Sequence, residues 1–106
     1  MKTQMKKGII EIFVLGLLSH GDSYGYKIVQ DLSEVVQVSE STLYPILRRL
    51  ENKESIGTYH EEYNGRLRKY YHLKAKGKEE IRAFLKEWED IKSVYDFILR
   101  KGDSLI

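Results

Sequence analysis

Residues 39–51 read Ser39-Glu40-Ser41-Thr42-Leu43-Tyr44-Pro45-Ile46-Leu47-Arg48-Arg49-Leu50-Glu51. Leu43, Ile46, Leu47 and Leu50 fall at i, i+3, i+4 and i+7, the apolar stripe of a short amphipathic helix. Ser41, Thr42, Tyr44, Pro45, Arg48 and Arg49 lie off that stripe. A helix that buries leucines and turns hydroxyls and paired arginines outward has the chemistry of a major-groove reader. Arginine can bridge two acceptors on guanine, and serine or threonine can reach bases or phosphates. Ser39 or Ser41 is the expected N-cap. Pro45 removes one backbone donor and disfavours helical geometry at Tyr44. The first turn is therefore expected to bend, or the helix to start late enough that Pro45 lies in its first turn and a half. The helix should stop near Lys53–Ser55.

Directly downstream, Asn64-Gly65 is the preferred pair for a two-residue type I′ turn. Taking it as a hairpin loop pairs Tyr63 with Arg66, Glu62 with Leu67, Glu61 with Arg68 and Tyr59 with Tyr70. Glu61 opposite Arg68 is a favourable cross-strand match. Tyr71 and Leu73 share the face that should meet the core, and Arg66 and Arg68 should be free at the tip. The charge distribution singles out this hairpin. The net charge of +2 is carried entirely by residues 56–74, where Arg66, Arg68, Lys69 and Lys74 outnumber Glu61 and Glu62. Such a segment suits phosphate contact.

Upstream, a helix is expected over about Met5–Ser19. Ile9, Ile10, Ile12, Phe13, Val14, Leu15, Leu17 and Leu18 surround nearly its whole cylinder, which requires burial on more than one side. His20-Gly21-Asp22-Ser23 reads as a turn, with Asp22 or Ser23 as the cap of a second helix over Tyr24–Val35 that buries Ile28, Val29 and Leu32. Gly25 near that helix's start either allows close packing or simply lowers helicity. A last helix is expected over Ala75–Leu99, where Ile81, Phe84, Trp88, Ile91, Tyr95 and Ile98 step by 3, 4, 3, 4 and 3. Leu85, Val94 and Leu99 widen this seam. A helix of roughly 24 residues is about 36 Å long. It outruns the other elements, so a second copy of the chain is the simplest cover for the seam. Ile9 and Phe13 of the first helix join that expected dimer surface. Gly102–Ile106 reads as a fraying tail.

The chain has 106 residues, is 42% hydrophobic and contains one proline and no cysteine. This composition fits one small globular unit without disulfides or thiol chemistry. The run Ile9–Leu18 is too short to span a membrane and no cleavage site follows it. A cytoplasmic location is therefore expected. No nucleophile–base pair, phosphate loop or carboxylate cluster marks an enzyme. His20, His60 and His72 lie in different elements without metal-like spacing. Neither catalysis nor a cofactor is expected.

These elements make a mainly α fold with a small β-hairpin. It is a winged helix-turn-helix over residues 1–74, followed by a dimerisation helix and tail over 75–106. The chain resembles the PadR family of bacterial transcriptional regulators along essentially its full length. The resemblance rests on Tyr24-Gly25-Tyr26 with Ile28, on Thr42-Leu43-Tyr44-Pro45 with Arg49-Leu50-Glu51, on Gly65-Arg66 with Arg68-Lys69-Tyr70-Tyr71-His72-Leu73, and on Gly77. The length resembles the short subgroup of the family. Lys74, Ser55 and Leu67 depart from it, standing where threonine, glycine and proline are usual.

The resemblance implies a homodimer on a palindromic operator of double-stranded DNA. It further implies repression of its own or a neighbouring operon, with release by a small-molecule effector. Trp88 occupies the position at which some relatives stack planar ligands, which implies a small aromatic effector there. The residues expected on DNA are Ser41, Thr42, Tyr44, Arg48 and Arg49 of the helix with Asn64, Arg66, Arg68 and Lys69 of the wing. A winged-helix protein–protein interaction module, or a multidrug sensor built on Trp88, would use the same surfaces.

Overall fold

The computed structural model describes residues 3–101, with side chains from 6 to 100. The expected tail at 102–106 lies outside the described residues. The elements run α1 (Thr3–Ser19), β1 (Ser23–Tyr24), α2 (Gly25–Ser33), α3 (Glu40–Asn52), β2 (Ile56–Tyr63), β3 (Arg66–Leu73) and α4 (Ala75–Lys101). The strands form one antiparallel sheet in the order β1-β3-β2.

The leucine stripe of α3 is buried as its spacing requires: Leu43 and Leu50 are fully covered, and Leu47 and Ile46 nearly so. They meet Ile10, Val14, Leu15 and Leu18 of α1, Ile28 and Leu32 of α2, and Ile56 and Tyr71 of the sheet in one cluster. Burying each such aliphatic side chain stabilises by about 1.5–3 kcal/mol. Ser39 caps α3, its side chain accepting from the Thr42 backbone N–H at 3.3 Å. Val38 just before the cap and Leu43 in the first turn both enter the core, as in a hydrophobic staple. Pro45 is the sixth residue of a continuous helix. The one ladder bond it forfeits is that to the Ser41 carbonyl, in the first turn of the helix, where Ser41 is exposed and water can reach it.

The hairpin has the expected register throughout, from Tyr63↔Arg66 to Ile56↔Leu73. Asn64 and Gly65 have φ of 52° and 78°, the positive pair that a type I′ turn needs. Tyr71 is buried and Leu73 packs against the core.

Three expectations are corrected. The sheet has a third strand: Ser23 pairs with Tyr71 and Tyr24 with Tyr70. Neither Asp22 nor Ser23 caps α2, because Ser23 is committed to that strand. The cap residue is Tyr24, with extended backbone and no side-chain cap bond. The buried Ser23 hydroxyl has no partner among the described residues. The second helix is also shorter at its far end, stopping at Ser33 as the Val35 and Val36 backbone N–H groups both turn back to the Leu32 carbonyl.

The departure at Ser55 has a structural role. The left-handed residue of this turn is Glu54, with φ 65°, so Ser55 itself needs no glycine. Ser55 donates its backbone N–H to the Leu50 carbonyl at 2.9 Å and accepts from the Lys74 backbone N–H at 3.0 Å. Its hydroxyl donates to Glu80, whose other oxygen takes the Lys53 ammonium at 3.1 Å. Lys76 reaches back to the Lys53 carbonyl at 2.8 Å. Gly77 lies directly against the Ser55 carbonyl, so α4 starts in contact with the end of α3.

This junction can be tested. A Cβ at Gly77 would fall 2.5 Å from Leu73 Cδ1 and closer still to the Ser55 carbonyl oxygen. Gly77→Ala should therefore destabilise by about 1–3 kcal/mol, a midpoint drop of about 4–8 °C per kcal/mol in thermal melts. At Glu80, burial pushes the carboxyl up, but Ser55 and Lys53 outweigh it and hold it below its ordinary value of 4.5. A folded-state value below the unfolded one contributes stability above pH 4.5 that is lost as pH falls through the depressed value. Melts of the wild type across acid pH should show that loss, and Glu80→Gln should remove its share of it.

Candidate nucleic-acid interface

The outward ridge of α3 consists of Ser41, Pro45, Arg48 and Asn52, one residue per turn and all exposed. Arg48 makes no ion pair among the described residues, so its guanidinium is available to a ligand. Arg49 is different. Its Nε lies 3.3 Å from Glu11 Oε1 on α1, although the side chain is 67% exposed. That Glu11 oxygen is buried and has no aligned hydrogen bond, so the contact is a charge pairing rather than a directed bond. Arg49 thus ties α3 to α1, whereas Arg48 is unpaired among the described residues.

At the start of α3 the hydroxyls form a cluster. Ser39 Oγ is 2.9 Å from Ser41 Oγ and donates to Thr42 Oγ1 at 3.2 Å. A cleft of about 370 Å³ opens beside them, lined by Lys7, Glu11, Ser41, Thr42, Pro45, Ile46 and Arg49. On the other flank, Tyr44 is 41% exposed. A Cβ on Gly25 would lie 2.6 Å from the Tyr44 hydroxyl, so the glycine lets this ring rest on the start of α2.

In the wing, Asn64, Arg66 and Lys69 are exposed around the turn. Leu67, where the family usually has proline, is 74% exposed. Lys69 sits 3.9 Å from Glu51 of α3 and 5.5 Å above the Tyr71 ring. Arg68 is not free at the tip, and it forms no ion pair with Glu61 opposite. Its guanidinium carbon is 3.9 Å from the ring centroids of both Tyr24 and Tyr63. A planar cation between two aromatic faces is better served by the rings than by a solvated carboxylate.

The aromatic face holding Arg68 was not anticipated from the residue pattern. Tyr59 stacks on Tyr70 at 5.4 Å, and Tyr24 meets Tyr70 edge-on at 5.7 Å. The Tyr59 hydroxyl donates to Asp22 at 2.8 Å. That bond, with smaller help from burial and the Asp22 charge, pushes the Tyr59 phenol up to about 12. The signal was the period-two spacing of Tyr59 and Tyr63 against Arg68 and Tyr70.

The expected effector and dimer residues lie on α4 and α1. Phe84 and Trp88 stack at 6.4 Å with planes 16° apart. Trp88 is 52% exposed, and Leu85, Ile91, Val94, Tyr95, Phe97 and Ile98 are exposed beyond it. Ile81 packs onto the core, while Ile9 and Phe13 of α1 are half-buried. No helix among the described residues is long and apolar enough to cross a membrane.

The model of the transcriptional regulator PadR-like family matches residues 14–83, from the middle of α1 through the wing into α4. An uncharacterised protein of Lysinibacillus sphaericus is 33% identical over 104 residues, 93% of this chain and 95% of that protein. A PadR family transcription regulator from Clostridium difficile superposes with a TM-score of 0.78 at 34% identity, covering 85% of this chain and 97% of its own. Bacillus subtilis PadR, solved in complex with operator DNA, superposes with a TM-score of 0.66 at 27% identity, over 73% of this chain and 47% of its own. Fold, wing and sequence blocks agree along most of the length, and the chain belongs to the PadR-like family of transcriptional regulators.

Proposed function

We propose that this regulator is a homodimeric repressor that places α3 in the major groove and the wing on flanking phosphates. The observation carrying this is the exposed ridge Ser41–Pro45–Arg48–Asn52, with the unpaired Arg48 at its centre and the basic wing beside it. Support comes from Bacillus subtilis PadR, a relative of the same fold solved with operator DNA. In this assignment Arg48, Ser41 and Thr42 reach base edges or nearby phosphates, and Tyr44, Asn64, Arg66 and Lys69 grip the backbone. Arg49 contributes from its tether to Glu11. Contacts to phosphate give affinity and register, whereas base edges give sequence selection.

Residues 1–74 are the DNA-binding unit, and α4 is the dimerisation helix. The 27 residues of α4 span about 40 Å. The exposed apolar stripe from Leu85 to Ile98 lies beyond the reach of the chain's own core, and a second copy packed along it would remove it from water. Two reading heads on a two-fold axis suit half-sites about one helical turn apart, roughly 10 bp, in a palindrome. Such a protein works in the cytoplasm, on the operator of its own or a neighbouring operon. A planar aromatic effector would stack on the half-exposed Trp88. It releases DNA only if it binds one spacing of the two heads better than the other. A protein-binding role for α3 is the alternative; of the two arginines whose acidic surroundings would favour it, Arg49 meets Glu11 and Arg48 makes no ion pair among the described residues.

Binding to duplex DNA from upstream of the protein's own gene, measured across salt, tests this. Arg48→Ala should lower selectivity for the preferred sequence by about 1–3 kcal/mol. Arg66→Ala should weaken binding to all sequences. It should also reduce the slope of log affinity against log salt by about 0.9 for each phosphate the protein no longer neutralises, doubled for a dimer. Wild-type binding that is neither sequence-selective nor salt-dependent would refute the repressor assignment.

A further inference from the structure

We propose that Arg68 is a positioning residue: it locks the wing to the start of α2 and sets the wing's angle to α3, rather than serving as a phosphate ligand. This rests on the DNA-binding assignment above.

Beyond Lys69, which sits 3.9 Å from Glu51 of α3, the tip of the hairpin is open to solvent. Every residue from Glu61 to Leu67 is exposed. A two-stranded ribbon in water is only marginally stable by itself. Left alone, the tip would sample many angles, and DNA would have to order it at an entropic cost to affinity. The Arg68 guanidinium meets this need because its two faces contact two different parts of the chain. Tyr63 is the last residue of β2, next to the turn. Tyr24 belongs to β1 and is the cap residue of α2. Both centroids lie 3.9 Å from the guanidinium carbon, so the cation bridges the tip and the helix-turn-helix.

The neighbouring contacts reinforce the same link. Tyr70 supports Tyr24 edge-on, Tyr59 stacks on Tyr70, and the Tyr59 hydroxyl holds Asp22 in the turn before β1. Tyr24 also pairs with Tyr70 through the backbone. Tyr44 of α3 rests on Gly25, the next residue after Tyr24. Beside the direct contacts of Lys69 and Thr58 with Glu51 of α3, the wing also connects to α3 through α2, by the path Arg68–Tyr24–Gly25–Tyr44. Arg66 and Arg68 point to the same side of β3 yet differ in kind: Arg66 is exposed beside the turn, whereas Arg68 is half-buried with both faces covered.

The test uses a duplex enriched from a randomised pool by the wild-type protein, with affinity measured across salt. Arg68→Ala should bind about tenfold more weakly with the salt slope unchanged, while Arg66→Ala reduces the slope. Tyr63→Leu, which leaves the arginine in place but removes one ring, should show the same tenfold weakening. The double variant Arg68→Ala/Tyr63→Leu should bind no more weakly than either single one. If Arg68→Ala does not fold, Tyr63→Leu decides alone. A phosphate-binding Arg68 freed from its ring would bind as well as wild type or better. That result, or a drop in salt slope for Arg68→Ala matching that of Arg66→Ala, overturns the assignment while leaving the DNA-binding assignment standing. Failure of the wild type to enrich any sequence overturns both.

Discussion

The placement of every element after α3 depends on how the chain turns at Ser55. In one residue the backbone N–H returns to the last turn of α3, the carbonyl receives the Lys74 N–H at the end of the wing, and the hydroxyl holds Glu80 on α4. A buried serine with all three groups engaged leaves no polar atom unsatisfied, so its burial costs little. The residue before it takes the left-handed conformation instead, which an exposed glutamate tolerates at a modest cost in backbone strain. The helix α3, the wing and the long helix α4 therefore meet at one point. A displacement of α4 has a direct mechanical route to α3, through Gly77 against the Ser55 carbonyl and through Glu80 to Lys53.

A second tie operates at the opposite edge of α3. Glu11 of α1 holds Arg49, and Tyr44 rests on Gly25 of α2. The helix is thus fixed on both flanks and along its buried stripe, and only its outward ridge is uncommitted. Rigid presentation matters more here than bulk charge. A net charge of +2 gives weak long-range attraction to a polyanion. Recognition must then come from a few groups held in the right place, where ordering has been completed by folding instead of being charged to binding.

Elements set by period and by turn chemistry could be read from residue order. The 3.6-residue stripe of α3, the Asn64-Gly65 turn with its full register, and the extent of α4 all follow from local rules that tertiary contacts reinforced. What escaped was set by contacts between distant residues. β1 is two residues long and exists only because β3 offers a free edge, so nothing in Ser23-Tyr24 announces a strand. That pairing in turn displaced the expected cap of α2. Among the candidate site residues, identity was visible but availability was not. Arg48 and Arg49 are adjacent and chemically equal, yet Glu11, 38 positions upstream of Arg49, reaches only one of them. Arg68 and Arg66 are the same residue type, and only the fold brings Tyr24 across to cover the first.

Basic residues in a wing are for this reason not interchangeable. A lysine at 68 would place a compact, strongly hydrated ammonium between the rings, with no flat face to offer either of them. Arginine's delocalised plane loses less hydration there and gains two aromatic partners. At 66, by contrast, the side chain stands in water beside a turn with positive φ, and nothing in its surroundings selects a plane over a point charge. Position 68 therefore demands shape as well as charge, whereas position 66 demands charge alone. Along one strand the wing thus sets one arginine between two rings and another in open water.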